Sequence, residues 1–82
     1  MSKTLDKKME ELSDYAHSAW AGWMKYLFEK STKNTDGSVT IPSELVERWE
    51  RQVNTEYDFL SELEKDSDRK EAIRMLNIMI GK

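Results

Sequence analysis

Helix-breaking residues are scarce in this 82-residue chain, and apart from Gly22 they fall at two places. The one proline, Pro42, stands five residues after Gly37, and Gly81 comes at the far end. Glycine and proline are the strongest local punctuation a chain carries. What lies between those marks is therefore read as long, uninterrupted elements, and the hydropathy pattern says which kind. Leu5, Met9, Leu12, Ala16, Ala19, Trp20, Trp23 and Leu27 recur at steps of three and four from residue 4 to about residue 30, the period of a helix. Tyr15, Met24, Tyr26 and Phe28 lie outside that stripe, so the second half of this helix is apolar nearly all round. Such a helix is buried between neighbours or covered by another subunit.

Residues 31–41 read as a loop, with an Asp36-Gly37 turn and a short extended piece at Val39-Thr40-Ile41. Pro42 suits the first turn of a second helix over 42–54, whose apolar stripe is Leu45, Val46, Trp49 and Val53. Ser61 followed by Glu64 is a capping box: the hydroxyl accepts from the backbone three residues on while the glutamate reaches back. A third helix is expected from there to about residue 80. Its first half is nearly all charge, and its second half carries Ile73, Met75, Leu76, Ile78, Met79 and Ile80. The expected fold is all-α: one domain over 1–82, with three main helices, a loop or short extended hairpin after the first, and a flexible terminus at 1–3.

A chain this short buries only roughly 60–65% of its unfolded surface. With no cysteine and a single histidine, neither disulfides nor a metal cluster can reinforce it. Reinforcement is expected from three tryptophans, three tyrosines and two phenylalanines in the core, or from self-association. Thirteen basic and sixteen acidic residues give a net charge of -3, which does not suit a binder of nucleic-acid polymers. No apolar run approaches membrane-spanning length, and residues 1–6 lack the apolar core of a signal peptide. A cytoplasmic protein without a membrane partner is the expectation.

Four groups of residues invite a functional reading, each beside a plainer one. Residues 32–43 imitate a calcium loop, with Gly37 at position six, but Thr32 and Ser43 stand where carboxylates are required, which leaves an Asp-Gly turn. His17, Trp20 and Trp23 share a helix face, either as a platform for a planar ring or as ordinary core. Arg48, Trp49 and Arg51 on the second helix could hold an anionic, planar ligand. Glu44–Arg48 and Glu47–Arg51 also have the acid-first spacing of surface ion pairs. Glu64, Lys65, Asp68 and Arg69 pair like with like at i,i+4, so partners elsewhere are expected for them. No nucleophile–base set or phosphate-cradling glycine loop can be assembled. The chain reads as a non-enzyme that needs no cofactor.

Two segments together resemble the ryanodine-receptor repeat domain. Ala16-His17-Ser18-Ala19-Trp20-Ala21 is similar to the family's His-x-x-Trp-Ala segment on its first helix. Residues 57–69, from Tyr57 through Glu64-Lys65 to Asp68-Arg69, are similar to the segment that opens its last helix. The two bracket about residues 16–80, and the chain also looks like small phage- and bacteria-encoded proteins of this kind. The family's Gly-Trp after the first helix is not at its expected place, Gly22-Trp23 being a displaced version, and Ser61-Glu62 stands where the family has proline. The resemblance implies a compact helical binding module. Repeats of the family are linked to nucleotide-type ligands held by stacked aromatics and arginines. It places Trp20, with His17 beside it, at the ligand, and it matches Tyr57, Lys65, Asp68 and Arg69 to the second motif. A nucleotide-like or other anionic planar ligand in phage–host conflict is one functional expectation. The other is a homo-oligomeric adaptor, or an inhibitor of a host protein, acting through Tyr15, Met24, Tyr26, Phe28 and the apolar end at 78–80.

Overall fold

The computed structural model describes residues 3–81. Met1 and Ser2, in the terminus expected to be flexible, lie outside the described residues, and Lys3 is already helical. The elements run α1 (Lys3–Lys30), β1 (Thr32–Lys33), β2 (Val39–Thr40), α2 (Ser43–Val53), a single 3₁₀ turn (Tyr57–Phe59) and α3 (Glu62–Met79). The fold is all-α with one small hairpin after the first helix, and no described helix is long and apolar enough to cross a membrane.

Local chemistry sets the boundaries. At the end of α1, the Ser31 hydroxyl donates to the Leu27 carbonyl at 2.7 Å. The hairpin pairs Thr32 with Thr40 and Lys33 with Val39, antiparallel. Its loop closes through Asn34 N–H to Ser38 O at 2.8 Å and turns at Gly37, whose φ of 92° is the left-handed region glycine enters freely. Pro42 lies at the N-cap of α2, just outside the helix, where its carbonyl accepts from Leu45 and Val46. The capping box of α3 forms as the residues dictate. Glu64 N–H donates to Ser61 Oγ at 3.2 Å, and Ser61 N–H donates to Glu64 Oε1 at 3.1 Å. Gly81, at φ 79°, stops α3.

The chain divides into two compact units, and α1 contributes to both. The first holds residues up to 20 and those from 61 onward. Within it, the Lys8 ammonium donates to the Ile78 carbonyl at 2.7 Å, which ties the start of α1 to the end of α3. The two helices therefore run antiparallel. The half-buried positions of α1 here are Lys8, Glu11, Leu12, Tyr15 and Ala19, one flank of the helix. The stripe beside that flank stays open, with Leu5, Met9 and Trp20 at 52%, 48% and 60% exposure.

The second unit holds residues 21–60. It contains Leu45, the only buried residue among the described ones, at 7% exposure. The expected aromatic core does not form: Trp20, Trp23, Phe28, Tyr57 and Phe59 are all exposed. The physical reason is geometric. A helix with a single helical neighbour is covered along one flank only, so an apolar stripe wider than that flank remains in water. For the same reason Val53, expected on the apolar stripe of α2, is open to solvent.

Three stability effects follow, each read by urea denaturation with far-UV circular dichroism. Leu45→Ala is expected to cost about 2–5 kcal/mol. Ser61→Ala removes the α3 cap and is expected to cost about 1 kcal/mol. Tyr15→Phe should leave stability unchanged or raise it by up to about 1 kcal/mol, because the Tyr15 hydroxyl is buried without a hydrogen-bond partner.

Candidate functional site

In the second unit, Trp23 and Tyr26 stand three residues apart on α1, so they meet on one face. Their ring centroids are 6.2 Å apart in an edge-on arrangement. Trp49 of α2 comes within 6.4 Å of Tyr26 at a tilt of 59°. The three rings form one chain, Trp23–Tyr26–Trp49, within the separations at which aromatic pairs attract. Beside it is a recess of about 240 Å³, lined by Trp23, Met24 and Leu27 from α1 and Trp49, Gln52 and Val53 from α2. Its walls are apolar apart from Gln52.

Two cations stand on the elements that carry these rings. The Lys30 ammonium lies 5.6 Å from the Tyr26 ring centroid, at cation–π distance. Arg48 is exposed on α2, one helical turn before Gln52. The ion pairs among the described residues lie on α3 and not at the expected acid-first positions of α2; Arg51 makes a contact of its own, and Arg48 is exposed. Tyr57, in the 3₁₀ turn of the same unit, is 45% exposed.

The remaining expected site residues belong to the first unit. His17 and Trp20 pair there, their rings 6.0 Å apart and tilted by 34°. Lys65, Asp68 and Arg69 lie on α3. Partners elsewhere were expected for Arg69, and two of them are on its own helix: Nη1 donates to Glu62 Oε2 at 2.9 Å and to Asp66 Oδ1 at 2.8 Å. Glu64 serves the cap. Steps of three and seven residues bring those groups together on one helix surface, a geometry that the i,i+4 count misses. These pairs are exposed, so they add little stability.

The loop that imitates a calcium site is a hydrogen-bonded turn. Asp36 Oδ1 accepts from the Ser38 hydroxyl at 2.6 Å and from the Ser38 N–H at 3.0 Å. Asn34 Nδ2 donates to the hydroxyls of Ser38 and Thr40. Among the described residues no group of three or more histidines, cysteines or acids is placed to hold a metal ion.

Sequence reasoning missed Tyr26, Lys30 and Gln52. Tyr26 was set apart from the main stripe, yet it bridges the two indoles. The available signal was spacing: Trp23 to Tyr26 and Trp49 to Gln52 are both steps of three, and Tyr26 to Lys30 is a step of four. Neither a family model, a curated protein nor a solved structure matches the chain.

The Asp36 carboxyl is held below its ordinary value of 3.8, first by the Ser38 hydroxyl and then by the Ser38 amide. Because the folded-state value is the lower one, the stabilisation is present above the unfolded-state pKa and is lost as pH falls through the folded value. An NMR titration should place Asp36 below the ordinary aspartate value, and Ser38→Ala should bring it back towards that value. An Asp36 shift unchanged by Ser38→Ala would rule out this cause.

Proposed function

We propose that the protein is a non-enzymatic recognition module that holds a planar, anionic, nucleotide-like ligand at the Trp23–Trp49 recess. One observation carries the reading: two indoles line an apolar recess and Tyr26 links them, with Lys30 over the Tyr26 ring and Arg48 next to Trp49 along α2. A planar ring gains from the aromatic walls, since stacking on an aromatic is worth ~1–3 kcal/mol per base. An anionic group attached to that ring gains from the cations at the rim. The recess is smaller than the ~300–1,000 Å³ of pockets that enclose a drug-sized ligand. It therefore suits one ring system, with the charged part left outside against Arg48.

The resemblance of residues 16–21 and 57–69 to the ryanodine-receptor repeat domain points to the same class of ligand. It does so through Trp20 and the charged opening of α3, which lie in the other unit. The aromatic recess instead draws on Trp23, Trp49 and Arg48, residues that no motif of that family matches except as a displaced Gly-Trp. The binding residues proposed here are Trp23, Trp49 and Arg48.

A thermal-shift screen against nucleotides and cyclic nucleotides tests the reading. A ligand present at a hundred times its Kd, and bound only by the native state, adds ~2.7 kcal/mol and raises the melting point of so small a protein by roughly 10 °C or more. Trp49→Ala and Trp23→Ala should abolish the shift, and Arg48→Ala should weaken binding roughly tenfold or more, as loss of a charge-assisted hydrogen bond does. No shift with any nucleotide, or an undiminished shift in both tryptophan variants, would refute the assignment.

A further inference from the structure

The first unit has a problem that the second does not. Among its described residues no side chain is fully buried, although its two helices carry many apolar residues. On α1 the open stripe is Leu5, Met9 and Trp20, and on α3 it is Leu76, Met79 and Ile80, each 48% to 64% exposed. These positions are not scattered. Leu5, Met9, Leu12 and Ala16 line a shallow groove of about 440 Å³ together with Met79 of α3. Met79 therefore joins the two stripes, and Leu76 stands three residues before it and four before Ile80, the C-cap of α3. The adjoining flank of α1, with Glu11 and Tyr15, is half-buried within the unit.

We infer that a second copy of this chain covers the groove, so that α1 and α3 of two copies form a four-helix assembly around a shared apolar core. Two antiparallel helices enclose no interior, and four do. The open apolar surface of those six side chains is on the order of 600 Å² per copy, close to the ~800 Å² that each partner of a standard interface buries. Monomers rarely leave so large an apolar patch in water.

The patch also suits a copy of itself. A two-fold interface sets each patch against its twin, so a charge near the centre would face its own kind. The centre here is Leu5, Met9, Met79 and Leu76. Among the described residues that line the groove the cation is Lys8, and its ammonium donates to the Ile78 carbonyl. Trp20 extends the face along α1 as a large aromatic, the residue type enriched where interfaces gain most of their energy.

Light scattering coupled to size exclusion, on the full chain without added ligand, tests this. The expected mass is twice the 9.7 kDa of one chain. Leu76→Glu should give the single-chain mass with reduced helix content. Leu63→Glu alters a still more open apolar residue of α3 off the groove face and should leave the double mass intact. A single-chain mass for the unaltered protein at every concentration overturns the proposal. So does a double mass that survives Leu76→Glu, or one that Leu63→Glu abolishes. Should Leu76→Glu fail to fold, Leu76→Ser read in the same way replaces it. The outcome is independent of nucleotide binding, which draws on the other unit.

Discussion

Coverage of α1 constrains everything else in this protein. The helix runs 28 residues and is apolar over more than one flank for much of that length. Within the first unit only α3 lies along it, and within the second only α2 and the hairpin accompany its end. One neighbour shields one flank. The remainder, from Leu5 and Met9 to Trp20 and Trp23, stays in water, and among the described residues Leu45 alone is buried. The chain has no cysteine to form a disulfide, so apolar burial carries much of the task of offsetting the conformational entropy of ordering these helices.

The open side chains sort into two kinds of surface. In the second unit the aromatic residues lie close to one another and to cations, and the recess beside them is narrow. That arrangement favours a flat ring with a charge attached. In the first unit the open residues are mainly Leu, Met and Ile, spread along two antiparallel helices, with no cation left pointing into the middle. That arrangement favours another helical surface. The same shortage of partners within the chain thus leaves one site chemically selective and the other merely apolar.

Features decided within a few residues were legible in the sequence. The capping box of Ser61 and Glu64, the Asp-Gly turn with Gly37, the stop at Gly81 and the long first helix all follow from neighbours along the chain. Features decided by distant residues were not. The periodic stripe of α1 correctly marks a helix, but whether that stripe or its flank is covered depends on where α3 lies. Spacing alone therefore assigned Trp20 and Trp23 to a core that does not form. Tyr26 shows the reverse error: set apart from the stripe by period, it links Trp23 to Trp49 once α2 is in place. The 3₁₀ turn Tyr57–Phe59 was also unforeseen, since one turn of three residues carries no periodic signal.

The most direct test of this account is the melting temperature of the unaltered protein as a function of its own concentration, followed by far-UV circular dichroism. If a second copy supplies the missing coverage, mass action links folding to association. The melting point should then climb by on the order of 10 °C over a roughly hundredfold rise in concentration. A melting point that stays constant across that range would contradict it, and would mean that α1 and α3 hold together as an open pair.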